Sequence, residues 1–566
     1  MLRKIFLSLS VMVITIAMFT ACKSSLTPLA SNYVKVEPQP LELTGNQVPV
    51  TINAAFPAGW FNKNASLTVV PVLRYEEEES VGIPYLFQGE KVAGNGQVIS
   101  QEYGGNVVLR STFDYVPTMR NSQLYLTFKA TVGNKTVNLP DIEIGSGVLA
   151  TAALLSAGSE APAIATDKFQ RIIKEAYDAN IMFLIQQAEL RSSELKKGEL
   201  LNWQDIIASA KAADSQKVDV EISSYASPDG GYQLNEKLAE QRETNTEKYL
   251  TKELQKSKID VPIHARYTAQ DWDGFKALVE KSNIQDRDLI LRVLSMYSDT
   301  EQREQEIKNI STVYSTLADE ILPQLRRSRL TANIEIIGKS DEEIFALAQS
   351  NPKDLTVEEL LYAATLTSAP DIQEAIYKAV TELFPDEARG FNNLGAMEYA
   401  KGNFSQAKVL FDKANQLAGN LPEANLNLGW IALTENNVEK AEQYFGNAAG
   451  VPELNNAMGY LAVMKGNYAQ AAQSFGQSAS NNAALSQILS KDYNKAMATL
   501  NAVSSPNADT YYLKAIVGAR TNSLENTVSN LKQAIAMNSD LVTQALTDLE
   551  FSKYLSNSQF LNTVIK

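Results

Sequence analysis

A dipeptide recurs through the C-terminal half at near-constant spacing. Leu394-Gly395 returns as Leu428-Gly429 after 34 residues and as Met458-Gly459 after 30 more. Thirteen residues beyond each Leu or Met stand Ala407, Ala441 and Ala471, and four further on come Phe411, Phe445 and Phe475. Ala414 and Ala448 occupy the next small position, with Ser478 in the third copy, while Pro385, Pro422 and Pro452 precede the expected helices. Small residues at fixed offsets let two helices approach closely, and a phenylalanine at a fixed offset fills the gap between them. A period of this length describes units that cannot bury an apolar face alone and must stack on their neighbours.

The pattern resembles the tetratricopeptide repeat. Gly395, Ala407, Phe411, Gly429, Ala441, Phe445, Gly459, Ala471 and Phe475 are the expected packing positions of three repeats. Degenerate hairpins are expected around Ala496 and Leu500, then around Tyr511, Ala515, Leu531 and Ala534. A helix pair at Val357–Leu366 and Ile372–Leu383 is expected to open the stack, so the all-α solenoid is assigned residues 339–566. The resemblance implies a concave surface that holds a peptide or helix of another protein; the alternative is a rigid spacer. Asn392, Asn393, Asn425, Asn427, Asn455 and Asn456 crowd the inner-helix region. An asparagine amide can both donate to and accept from an extended backbone, and it also serves as a helix cap.

At the other end, Arg3 and Lys4 precede an apolar run from Ile5 to Phe19 that ends in Phe19-Thr20-Ala21-Cys22, the chain's one cysteine. This resembles a type II signal peptide with its lipobox, which implies cleavage after residue 21 and lipidation of Cys22. The apolar run is short for a spanning helix. Residues 22–32 then form a lipidated tether, and the absence of acids in Lys23-Ser24-Ser25-Leu26 favours the periplasmic leaflet of the outer membrane over the cell surface. Without Arg3 and Lys4 the 51 basic residues fall to 49 against 65 acidic ones, a net charge of −16. Nucleic acid needs clustered cations and is excluded as a partner.

Residues 33–145 read as a β-sandwich. Gln47–Ile52, Ser66–Val70, Asn106–Leu109 and Leu124–Phe128 are β-branched or alternating runs, separated by Gly94-Asn95-Gly96, Gly104-Gly105 and Gly133-Asn134. The acidic run Glu76–Glu79 is expected as a solvated loop. Residues 146–167, rich in Ala, Ser and Gly and without periodicity, read as a flexible linker.

A mixed α/β domain is expected over 168–338. Val218–Ile222 alternates as a strand, Ser224–Gly231 forms a turn, and Asn235, Leu238, Ala239, Arg242, Thr246, Tyr249 and Leu250 mark one helix face. Asn235, Leu238 and Arg242 fall where the OmpA-like peptidoglycan-binding domain has its Asn, Leu and Arg, and Leu325–Ile336 resembles that family's basic entry into its last strand. The resemblance implies that Arg242 grips a carboxylate of the peptide stem. The family's partner Asp lies eight residues before the Asn, and here that place is Ser227; Asp229 is the substitute anion. Asp229, Asn235, Arg242 and Arg326 are the candidate wall-binding residues; the alternative is a fold retained without the ligand, with Arg242 a structural helix cation paired to Asp229 or Glu243. A long insertion, residues 271–326, separates the last two strands and resembles a variant of the domain in envelope lipoproteins of gut-type anaerobes.

No catalytic constellation is found. One histidine, His264, and one lipidated cysteine cannot build a His/Cys zinc cage, and no phosphate-binding glycine loop is present. No enzyme activity, cofactor or metal is expected. The expected molecule is a multidomain α+β chain: β-sandwich, OmpA-like domain, tetratricopeptide solenoid. Its expected role is a lipid-anchored envelope scaffold, facing the periplasm, whose partners are peptidoglycan and an envelope protein such as a barrel, secretion or fimbrial component. The rival readings are an accessory factor for assembling surface fibres or a secretion machine, and a glycan-processing lipoprotein.

Overall fold

A computed structural model describes residues 28–284, 286–309 and 311–565; Cys22 and the expected signal peptide, 1–21, lie outside them. The chain divides into two units. One joins the residues up to Ala165 with those from Phe384 onward; the other is Thr166–Leu383.

The first unit begins with eleven strands: β1 (Val34–Glu37), β2 (Leu41–Glu42), β3 (Gln47–Phe56), β4 (Ala65–Tyr75), β5 (Glu78–Val81), β6 (Tyr85–Gly89), β7 (Gln97–Ile99), β8 (Gly105–Asp114), β9 (Gln123–Val132), β10 (Lys135–Ser146) and β11 (Val148–Leu149). One sheet has the order β1-β3-β8 and the other β10-β9-β4-β6-β7, with β5 paired to β4; β11 pairs in parallel with β2. Val48, Val50, Ile52 and Ala54 of β3 are buried at every second position, the period a strand needs to cover one face. Leu124, Leu126, Phe128 and Ala130 do the same on β9. The acidic run is a hairpin tip rather than a free loop: the chain turns at Glu76 (φ 49°) into β5, and Glu79 pairs with Arg74 at 3.4 Å.

Five helical hairpins follow in the same unit: Ala388–Ala400 with Phe404–Ala418, Pro422–Thr434 with Val438–Gly446, Leu454–Met464 with Tyr468–Phe475, Asn481–Leu489 with Tyr493–Ala502, and Ala508–Arg520 with Leu524–Met537. Each first helix stops the same way. Gly402, Asn436, Gly466, Lys491 and Asn522 adopt positive φ, and the next N–H returns to the carbonyl five residues before the turn residue's successor, as in Asn437 to Ala432 (2.8 Å) and Asp492 to Gln487 (2.8 Å). This left-handed cap satisfies a carbonyl the helix end leaves open.

Relative to that turn the packing residues share one register. A Cβ at Gly395, Gly429 or Gly459 would meet the ring of Phe411, Phe445 or Phe475 at 2.8, 2.3 or 2.7 Å. Ala407, Ala441 and Ala471 are fully buried between the same helices. The sandwich packs on the array within this unit. Tyr468 Oη accepts from Gly45 N–H (3.1 Å) and donates to Leu43 O (3.2 Å). Gly45 has φ +63°, and a Cβ there would lie 2.2 Å from Met464 O, so both its conformation and its surroundings require glycine.

The second unit holds a four-stranded sheet, order β12 (Ile172–Met182), β15 (Arg327–Ile337), β13 (Gln216–Tyr225), β14 (Ile263–Thr268). The β13/β14 pair is parallel and the other two are antiparallel. The helices Gly198–Ala212 and Tyr232–Lys256 cover one face, burying Trp203, Ile207, Leu250 and Leu254 against Val220, Ile222 and Leu330. The insertion forms helices with a core of their own around Phe275, Ile290 and Leu317. The helices Asp341–Ser350, Val357–Ala363 and Pro370–Leu383 belong to this unit too, so the array's unit starts at Phe384 rather than at residue 339. They are held by local contacts: Phe169 stacks on Tyr362 at 4.4 Å, Lys168 N–H donates to Glu358 (2.6 Å), Lys339 pairs with Glu359 (2.9 Å), and Arg171 pairs with Asp341.

Candidate functional site

Residues 151–165, which read from sequence as part of a flexible linker, lie along the inner helices of the array. Three asparagines each clasp one residue of this segment by both backbone groups. Asn482 accepts from Ser156 N–H (3.0 Å) and donates to its carbonyl (2.7 Å). Asn427 does the same to Ala163 (2.7 and 2.9 Å), and Asn393 to Ala165 (2.8 and 2.9 Å). Asn392 adds a second donor to Ala163 O (3.0 Å) and accepts from Asn427 (3.0 Å). Tyr399 Oη donates to Ala157 O (2.8 Å).

Such contacts read the backbone and not the side chain. They also explain why an alanine-rich stretch without periodicity is ordered. Backbone polar groups must be paired when buried, and here the partners lie more than 200 residues away in sequence. Ala157, Ala163 and Ala165 are buried in the groove, and a ring atom of Phe404 would lie 3.0 Å from a Cβ on Gly158.

Two charged groups anchor the segment. Glu160, 4% exposed, accepts from Asn482 (2.8 Å), Asn456 (3.2 Å) and Ser480 (3.5 Å) and forms no ion pair among the described residues. Burial pushes its carboxyl above the usual range, against the pull of those three donors. At the N-terminal end Thr151 donates its hydroxyl to Glu550, whose carboxylate is held by Arg520 at 2.9, 3.0 and 2.7 Å. Burial works against the Arg520 charge, but the hydrogen bonds of Glu550 outweigh it and the guanidinium is raised above its ordinary value.

Of the six asparagines picked out in the sequence, Asn392, Asn393, Asn427 and Asn456 touch the segment. Asn425 instead braces the loop between hairpins through Asn415 and Asn420, and Asn455 is exposed. Asn482, Tyr399 and Glu160 were not singled out. A signal for Asn482 exists once the hairpin turns are known. Asn393, Asn427 and Asn482 each stand nine residues before the positive-φ residue of their hairpin, Gly402, Asn436 and Lys491.

In the second unit Asp229, Asn235, Arg242 and Arg326 line one small cavity of about 60 Å³. The expected Arg242–Asp229 pairing is replaced. Asp229 pairs with Arg326 (3.0 Å) and receives the Ser227 hydroxyl. Arg242, 1% exposed, donates to the carbonyls of Gln187 (3.0 Å), Tyr225 (2.8 Å) and Leu184 (3.3 Å) and lies 5.0 Å from the Phe183 ring centre. Burial, with Arg326 nearby, lowers it to about 10. Asn235 closes the turn by donating to Ser227 O (3.1 Å) and Gly230 O (2.7 Å). The physical reason for the replacement is the Asp position. Two residues later in the turn, its carboxylate meets Arg326, which immediately precedes the final strand, and not the helical arginine.

Among the described residues no group of His, Cys, Asp and Glu is placed to hold a metal, and no helix is long and apolar enough to cross a membrane.

No family model and no curated protein matches this chain. Solved structures similar to it include a tetratricopeptide repeat protein from Parabacteroides merdae, 17% identical, covering 40% of this chain and 91% of that one at a TM-score of 0.28. Pseudomonas aeruginosa pilF is 15% identical, covering 38% and 99% at 0.27. Yeast Tom70 is 12% identical, covering 58% and 78% at 0.25. The helical C-terminal half resembles tetratricopeptide-repeat proteins.

Proposed function

We propose that the chain is a lipid-anchored scaffold of the bacterial outer membrane that holds protein segments in the groove of its tetratricopeptide array. One observation carries this reading: a segment of the chain already lies in the groove, with Ser156, Ala163 and Ala165 each clasped through both backbone groups. A surface built from asparagine amides accepts many sequences in extended form. The array's partner is an envelope protein on this proposal, and the sandwich is fixed to the array.

Two arms test it. Cys22→Ser should shift the protein out of the outer-membrane fraction or leave its precursor uncut, because acylation needs the sulfur and stable anchoring needs more than one chain. Full retention in the membrane after a salt wash contradicts the anchor. In the second arm, the tagged full chain is purified from native membranes. An envelope protein should co-purify in fixed ratio and be lost when Asn392 and Asn427 are both alanine; equal recovery with that variant contradicts the groove.

A second reading, contact with the peptide stem of peptidoglycan, is favoured by the cavity in the other unit. There Arg326 pairs with Asp229 while Arg242, its nitrogens held by backbone carbonyls, adds a second positive charge, an excess that suits a carboxylate ligand. Arg326→Ala should then abolish sedimentation of the full chain with purified sacculi, and unchanged sedimentation removes the reading.

A further inference from the structure

Resting on the reading of the groove as a site for protein segments, the occupied groove defines the segment it accepts. We propose that it selects the pattern Glu-x-x-Ala-x-Ala in an extended segment. On this proposal, residues 160–165 are the chain's own copy of that ligand, which a partner protein segment of the same pattern replaces.

Each position of the pattern follows from a contact. Glu160 meets three donors, Asn482, Asn456 and Ser480, and no acceptor. An acceptor-only side chain satisfies all three, whereas an apolar residue leaves buried amides unpaired and a lysine adds donors to donors. Ala163 is fully buried, with both backbone groups taken by Asn427 and Asn392. A longer side chain there would have to push those amides away from the backbone they clasp. Ala165, 3% exposed, is held by Asn393 two residues on, the spacing that returns an extended chain to the same face. Ala161, Pro162 and Ile164 carry none of these restrictions, being exposed or only half-buried.

A partner segment is a realistic replacement because the cis copy is held by features any extended chain owns. The contacts that fix Ser156, Ala163 and Ala165 are to backbone N–H and C=O. The only side chain of residues 156–165 that the groove holds with several donors at once is Glu160. The cis copy has the advantage of tethering, which sets a high effective concentration. A free segment therefore competes poorly until the cis copy is weakened.

The experiment titrates a fluorescently labelled synthetic peptide of residues 154–166 into the full chain and reads anisotropy. Glu160→Lys/Ala163→Leu in the protein weakens its own copy and leaves every groove asparagine in place. The native peptide should bind this variant at least about tenfold more tightly than wild type. The same Lys or Leu change made in the peptide should cost about tenfold or more, the effect of losing one buried hydrogen-bonded contact. If the variant loses helical content by circular dichroism, Glu160→Gln alone carries the titration. Equal binding of the native peptide and an order-scrambled one overturns the selectivity and leaves the groove as a general peptide site. Binding of neither peptide to a folded, weakened chain overturns the groove itself.

Discussion

Arg520→Ala should destabilise the sandwich–array unit by roughly 3–5 kcal/mol, the effect of removing one member of a buried ion pair. The Glu550 carboxylate would keep the Thr151 hydroxyl but lose its cation, in a residue only 8% exposed. A buried carboxylate without its cation is the costly product, so removing both charges should recover much of the loss. Arg520→Met/Glu550→Leu is therefore expected to be closer to wild type than Arg520→Ala alone. Guanidinium unfolding of the three proteins checks the order. The same change should loosen the segment at Thr151, because the guanidinium holds the carboxylate that receives its hydroxyl.

Gly429→Leu is the second large effect. The Cβ alone would lie 2.3 Å from a ring atom of Phe445, a distance no real contact shows. The ring has little freedom to yield: Trp430 packs edge-on against it at 5.4 Å and itself meets Tyr460 at 5.6 Å. Overpacking of this kind costs about 1–3 kcal/mol or more, with alanine at the lower end and leucine beyond it. Gly429→Ala combined with Phe445→Leu should regain part of the loss, since a smaller side chain clears the same space. Thermal melting of the full chain measures all three. An unchanged melting curve for Gly429→Leu would mean that the two helices of this hairpin do not pack as described.

The hairpins were legible where packing demands a small residue opposite a large one. Gly395–Phe411, Gly429–Phe445 and Gly459–Phe475 declare themselves because few other pairs fit the space. The fourth hairpin was faint because Ala484 and Leu500 fill the equivalent positions, and its turn residue is Lys491, an unusual choice for positive φ. The strand pattern of the sandwich was legible for a similar reason, since one buried face leaves an alternation in the sequence.

The segment in the groove left no such trace. Its order comes from side chains of Asn393, Asn427 and Asn482, far along the chain, acting on its backbone, and a backbone has no residue type to read. Alanine, serine and glycine are therefore ambiguous between a loose linker and a tightly held segment. In the second unit the four residues chosen from the motif do surround one cavity, but the ion pair formed is Arg326–Asp229. Sequence spacing placed the residues near each other and could not say which guanidinium the displaced Asp229 would reach.

The central claim is that residues 151–165 are a bound part of the sandwich–array unit, and amide hydrogen exchange in the full chain tests it most directly. The Ala163 and Ala165 amides, donating to Asn427 and Asn393, should exchange as slowly as amides inside the array helices. Asn427→Ala should raise the Ala163 rate sharply while the helix amides stay protected. Exchange of Ala163 and Ala165 at the rate of an unstructured chain in the wild-type protein would contradict the account.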